Sequence, residues 1–312
     1  MPPVLDSLPP GSRVRILRFR SLGDCVLTTP ALALLKAHRP DLRVEMVVEP
    51  RFAAVFEGNP DVDEISIEGG IVNQRRVNRK RSDLVLNLHG GTRSMLMTLA
   101  SGAKFRAGFA HHRGAFLYTH KIPRAQEILH IERKVHTAEH VASAMFFLGV
   151  PQTEVPRAKL FAPHGDMLLQ GRIAAIHPFA SAPEKTWPLA NFVALADHLQ
   201  RKLGLRPVFV PGPGEPVTGF GAHGVMANLP ITKLKLLMSE AELFVGNDSG
   251  PAHVAAAYGV PSVVLFGPTD PDVWRPWRTE GSAIQVPGGI AAISVQQVLR
   301  EVEVLRPRKV GV

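Results

Sequence analysis

Apolar and polar positions succeed one another along this chain in blocks of strand and helix length. Apolar runs at about 14–19, 43–48, 64–67 and 84–88 have the length of buried strands. Stretches at about 25–37, 92–100 and 136–148 carry apolar residues at helical spacing, as where Leu27, Ala31, Leu34 and Leu35 form one stripe. The pattern resumes with strands at about 173–176, 207–210, 243–246 and 262–266 and helices at about 190–203, 231–240 and 250–258. Such alternation predicts an α/β protein with mostly parallel sheets covered on both faces. Between the halves, Pro151 to Pro163 carries three prolines among polar residues and reads as a linker. The predicted organisation is therefore a first domain over 1–155, a second over 163–290 and a tail over 291–312. Val295, Val298, Leu299, Val302 and Leu305 give that tail a helical apolar face, expected to pack back on the first domain.

Three strand-to-helix junctions carry candidate chemistry. In GNDSGPAHVAAAYGVPSVVLFGPTDP, Gly246 to Pro271, a strand gives way at Asp248, Ser249 and Gly250 to a helix with Pro251 in its first turn. Free N–H groups at such a start suit a phosphate or diphosphate, although an ordinary N-cap on a crossover reads the same. In AAIHPFASAPEKTWPLANFVALADHL, Ala174 to Leu199, a loop after the strand carries Ser181 and Lys185. Lys185 can offer a point charge to an anion at the carboxyl end of a strand, or can be a solvated lysine. In RILRFRSLGDCVLTTPALALLKAH, Arg15 to His38, Asp24 stands where strand gives way to helix, as a reactive carboxylate or as a cap.

Taken together with DLVLNLHGGTRS (Asp83 to Ser94), the runs RSLGDCVLTTP, HPFASAPEKTWP and GNDSGPAH resemble, in order and over nearly the whole chain, the ADP-heptose:lipopolysaccharide heptosyltransferases. The resemblance implies a GT-B fold, two Rossmann-like domains facing across a cleft. It further implies metal-independent, inverting transfer of heptose from ADP-heptose to the inner core of lipopolysaccharide, with no cofactor beyond the donor substrate. Carried over by position, Asp24 is the general base, Lys185 a ligand of the donor phosphates, and Asp248, Ser249 and Gly250 the diphosphate loop. Ser181 and His253 match donor-side positions, and Glu215 falls where the family contacts the adenosine. Relatives usually carry a helix and a strand between Gly214 and Ile231, whereas this chain has the short, Gly-rich VTGFGAHGVMANLP. That departure bears on Glu215 and on the shape of the adenosine pocket.

Charge and composition narrow the partners. The chain has 312 residues, enough for two cores, and 36 Lys and Arg against 27 Asp and Glu give a net charge of +9. Arg75, Arg76, Arg79, Lys80 and Arg81 crowd one stretch, with Arg93, Lys104, Arg106 and Arg113 following. No aromatics interleave with them to stack bases, so nucleic acid is a poor candidate. An acidic glycolipid such as the Kdo-lipid A acceptor at a membrane surface fits better. Arg75, Arg76, Arg79 and Arg93 are then acceptor-side candidates, against a solvated helix face for the stretch and a structural salt bridge for Arg93. The start shows no apolar run with a small-residue cleavage site and no stretch reaches membrane-spanning length. A cytoplasmic protein, peripheral on the inner face of the inner membrane, is expected. Cys25 reads as a small buried hydrophobe, His136 and His140 as a chance pair, and the Asp61–Asp63 and Asp270–Asp272 triplets as turn residues. The remaining alternatives are a related GT-B transferase with another nucleotide sugar or a protein acceptor, and a basic nucleotide- or membrane-binding protein without turnover.

Overall fold

The computed structural model describes residues 3–68, 81–163, 165 and 168–305. The chain forms two compact units, Met1–Pro156 and Arg157–Val312, and the division falls inside the proline-bearing linker. In the first unit the elements are β1 (Arg13–Leu17), α1 (Leu22–Val26), α2 (Thr29–His38), β2 (Arg43–Val48), β3 (Glu64–Ile67), β4 (Leu84–Asn87), α3 (Thr92–Ala100), β5 (Phe105–Phe109), β6 (His120–Ile122), α4 (Ala125–Leu129) and α5 (Thr137–Leu148). In the second they are β7 (Ile173–His177), α6 (Leu189–Leu203), β8 (Arg206–Phe209), β9 (Gly224–Val225), α7 (Ile231–Glu240), β10 (Ala241–Asn247), α8 (Gly250–Ala257), β11 (Ser262–Leu265), α9 (Pro271–Trp274), β12 (Gly281–Ile284) and α10 (Val295–Val304).

All pairings are parallel, in the orders β3-β2-β1-β4-β5-β6 and β12-β11-β10-β7-β8-β9. Counted from its own first strand, each sheet has the order 3-2-1-4-5-6 of a doubly wound fold. The strand order therefore reverses between β1 and β4 in one unit and between β7 and β10 in the other. At those two places the crossovers leave in opposite directions and open a crevice beyond the carboxyl ends of the strands.

The expected single helix over 25–37 is two helices. Pro30, in the first turn of α2, has no N–H to give the preceding turn. The hydroxyls of Thr28 and Thr29 instead donate to the carbonyls of Asp24 and Val26, both at 2.8 Å. The strands β5, β6, β9 and β12 were not in the sequence pattern; each is short, two to five residues, and none is an uninterrupted apolar run. The tail helix α10 lodges Val298 and Val302 in the second unit's own core, beside Leu195, Leu199 and Val263. Its apolar stripe is thus packed within the second unit.

One polar feature is buried where the pattern predicted only apolar packing. Arg15 on β1 and Glu45 on β2 face each other at 3.0 Å with side chains 1 % exposed, and Ser66 on β3 donates to the same carboxylate at 2.7 Å. Arg13 lies 3.4 Å from the same carboxylate, so the buried Glu45 charge is shared between two guanidinium groups.

Candidate active site

In the first unit, β1 runs out at Leu17 and the chain is held onward by Arg18 N–H donating to Val47 and Glu49 N–H donating to Phe19. Ser21 then opens α1, and Asp24, three residues on, accepts from both its backbone N–H and its hydroxyl at 3.2 Å. The cap reading of Asp24 is therefore correct as far as it goes. Its other oxygen lies 3.5 Å from the Arg18 guanidinium, whose side chain is largely buried and also donates to Thr28. The carboxylate remains 24 % exposed, so a ligand can reach it. Cys25 beside it is buried, and loss of water pushes its thiol up to about 12, which suits a packing residue and not a nucleophile.

At the neighbouring end of β4, Asn87 accepts from the N–H groups of His89 and Gly90, both at 3.0 Å, and its amide donates to Tyr118. Gly90 has φ +77°, and a Cβ there would collide with the His112 ring. Around this turn the chain gathers imidazoles. His140 stacks on Phe109 at 4.1 Å between centroids, His111 stands 4.8 Å from His112, and His89 lies 4.8 Å from Phe19. Burial, assisted by His111 and by Arg18, holds His112 and His140 down to about 4, so these rings are neutral near pH 7. Arg93 pairs with Glu68 and lies 5.4 Å from the Phe19 ring centre, its side chain 59 % exposed. Arg93 thus has a structural partner. Arg75, Arg76, Arg79 and Lys80 lie outside the described residues, and Arg81 is exposed.

The second unit builds its counterpart at the ends of β7 and β10. Asn247, fully buried, donates its amide to the Pro178 carbonyl at 2.8 Å and accepts from the Trp187 N–H at 3.1 Å. The loop between those residues is thereby tied to the last residue of β10. Trp187 is anchored in turn by its indole N–H to the Ile293 carbonyl at 2.8 Å. On the other side Gly267 lets β11's exit pass against the Glu184 carbonyl, where any Cβ would collide. So held, Lys185 presents its ammonium 3.9 Å from Asp248. Burial raises the Asp248 carboxyl above its usual range, with Thr269 and Lys185 opposing the rise.

Ser249 does not cap α8 with its side chain; its hydroxyl turns back to the Asn247 carbonyl at 3.0 Å. The N–H groups of the first turn, Gly250 foremost, remain suited to an anion. Ser181 lies exposed in the same loop as Lys185, whereas His253 is buried one turn into α8. Glu215 comes to the same edge. It accepts from the Gly212 N–H at 2.5 Å and lies 3.9 Å from His177, whose other nitrogen meets the Val210 carbonyl at 2.7 Å. The shortened 214–231 segment keeps its strand in reduced form, since β9 still pairs with β8. Beyond Glu184 and Gly267, a depression of about 610 Å³ continues to Gln285 and Gly289.

The glycosyltransferase family 9 (heptosyltransferase) model matches residues 73–292. The chain belongs to glycosyltransferase family 9. It is similar to lipopolysaccharide heptosyltransferase 3 of Escherichia coli, with 26 % identity over 84 % of each chain. Among solved structures it resembles a family 9 glycosyltransferase of Veillonella parvula, with a TM-score of 0.80, 24 % identity and coverage of 94 % and 96 % of the two chains. It also resembles E. coli ADP-heptose lps heptosyltransferase II, with a TM-score of 0.79, 20 % identity and coverage of 94 % and 98 %. The two parallel sheets are those of the GT-B fold, and the protein is a glycosyltransferase.

For this family 9 chain the structure brings Ser181, Lys185, Glu215, Asp248, Ser249 and Gly250 to one edge of the second sheet and Asp24 to the corresponding edge of the first. Sequence reading missed Arg18, Asn247 and the imidazole group. Arg18 and Asn247 stand within the quoted motifs, but their partners are 6 to 69 residues away. His111 and His112 carried a visible signal, two adjacent histidines after a strand-length FRAGF. Asn247→Ala removes both bonds that tie the Lys185 loop to β10 and leaves buried groups unsatisfied at about 1–3 kcal/mol each. It is expected to lower the unfolding midpoint and to weaken ADP binding together, read by calorimetry; unchanged ADP affinity in the folded variant would show that the loop is positioned by other means.

Proposed function

We propose that this chain transfers heptose from ADP-heptose to the inner core of lipopolysaccharide, with Kdo-lipid A as acceptor, with inversion at the anomeric carbon and without a metal cofactor. The observation that carries this reading is the Lys185, Asp248 and Ser249 arrangement at the crevice of the second sheet. A lysine beside a helix start offers positive charge and N–H donors to two phosphates at once. Such donors stabilise the charge that grows on ADP as the glycosidic bond breaks. Glu215, held on the same edge by the Gly212 N–H, accepts in this reading from the adenosine of the donor. The names of the E. coli relatives, lipopolysaccharide heptosyltransferase 3 and ADP-heptose lps heptosyltransferase II, support the donor and the acceptor class.

In the first unit, Asp24 takes the proton of the acceptor hydroxyl as that oxygen attacks the anomeric carbon opposite ADP. Arg18 and Ser21 fix the carboxylate's direction from one side while its exposed part meets the acceptor. The neutral imidazoles of His112 and His140, both partly exposed, offer hydrogen bonds and ring faces to acceptor sugars without adding charge. The acceptor is a lipid, so the enzyme works at the inner face of the inner membrane, to which its basic residues are drawn.

Asp24→Asn keeps an oxygen for the Ser21 cap while removing the base. Turnover with ADP-heptose and heptose-deficient lipopolysaccharide, followed as ADP release, is expected to fall about 10²- to 10⁴-fold, with ADP affinity nearly unchanged. Lost ADP binding with unchanged turnover per bound donor would make Asp24 a cap alone. Lys185→Ala is expected to cost about 1.5–3 kcal/mol of ADP-heptose affinity and to leave adenosine binding almost as it was. Equal losses for the two ligands in titration calorimetry would place Lys185 away from the diphosphate.

A further inference from the structure

Three of the large hydrophobic side chains most open to water among the described residues belong to adjoining elements of the first unit. Leu96 and Leu99, 51 % and 46 % exposed, lie one turn apart on α3, and Phe116 is 74 % exposed in the turn that follows β5. The turn is built against the helix: a Cβ at Gly114 would collide with the Met95 side chain. Arg106 donates to the carbonyls of Ala103, at 2.8 Å, and Leu117, at 3.4 Å, tying the turn to the chain that leaves α3. Phe116 is thus presented outward from a braced turn.

The charge around these residues is one-sided. Among the described residues, the segment 81–126 holds seven Lys and Arg and a single acidic residue, Asp83, a net +6, with Glu68 pairing one of them, Arg93. Arg93 shares the exposed face of α3, and Lys104 and Arg113 are exposed in the flanking loops. A second copy of the chain would bring two such positive surfaces together, which is unfavourable. Apolar side chains that stand out among cations match an anionic bilayer, whose headgroups meet the charges while the acyl boundary takes the apolar groups.

We infer that α3 and the Phe116 turn form a membrane-docking surface, with Leu96, Leu99 and Phe116 entering the acyl boundary of an anionic lipid bilayer. The inference rests on the proposed bilayer-borne acceptor and adds the surface by which the enzyme reaches it. Because these side chains are already exposed, their replacement leaves the core intact.

The test uses the full chain and vesicles of phosphatidylcholine, alone or mixed equally with phosphatidylglycerol. The wild type is expected to sediment with the anionic vesicles, and L96S/L99S/F116S to lose about a hundredfold in partition. K104Q/R113Q is expected to weaken binding chiefly at low salt, where exposed charges act over about 10 Å. In F116W, lipids brominated near the headgroup end of the acyl chain are expected to quench the new tryptophan. Equal partition of the triple variant, no added quenching in F116W, or equal binding of the wild type to neutral vesicles would overturn the inference. So would a concentration-dependent dimer that the triple variant abolishes, which would assign the surface to a second copy. Heptosyl transfer to a delipidated core oligosaccharide separates the two claims. The triple variant is expected to retain it; a wild type that binds vesicles but transfers no heptose would contradict the proposed function and leave the docking surface standing.

Discussion

The side-chain amide of Asn247 joins two parts of the second unit that the chain itself places far apart. Its N–H₂ holds Pro178 and its oxygen holds the Trp187 N–H, so the loop that carries Ser181 and Lys185 closes onto the end of β10. Without those bonds, an eleven-residue excursion between a strand and a helix would sample many positions, and Lys185 would stand near Asp248 only part of the time. The close pass at Gly267 and the indole bond from Trp187 to Ile293 fix the same loop from two other directions. In the proposed function that charge meets a diphosphate, and it is useful there when already in place, because reorganising it costs binding energy.

The first unit uses the same sheet order for a different purpose. At the reversal between β1 and β4 it sets Asp24 against Arg18 on one side and the Asn87, His89 and Gly90 turn on the other. The carboxylate is oriented by a buried cation, while His112 and His140 are kept neutral by burial, by His111 and by that same cation. In the proposed function, this carboxylate beside uncharged donors and rings suits an acceptor rich in hydroxyls.

Much of this was readable from residue order. Gly246 to His253 shows its strand, turn and helix because Pro251 and the alanines of α8 mark the helix start and Asp248 to Gly250 the turn. Asp24 was readable as a helix-start carboxylate, and the linker by its prolines. What escaped depends on distance along the chain. The pairing of Asn247 with Trp187 spans 60 residues, and no local pattern announces it. The buried pair of Arg15 and Glu45 has no local signal in the runs 14–19 and 43–48, since each is neutralised from a neighbouring strand. The helix over 25–37 was overextended because apolar spacing continues through Leu27 while Pro30 and two threonine hydroxyls break the hydrogen-bond ladder. The tail helix showed its apolar stripe but not its partner, which periodicity does not encode.

Hydrogen exchange of this chain, with and without ADP-heptose, tests most directly the central proposal that the crevice between β7 and β10 holds the donor diphosphate. Amides of Ala182 to Trp187 and of Asp248 to His253 are expected to gain protection when the donor binds, with little change along α5. Protection confined to other elements, with the 182–187 and 248–253 amides exchanging as in the free protein, would contradict it.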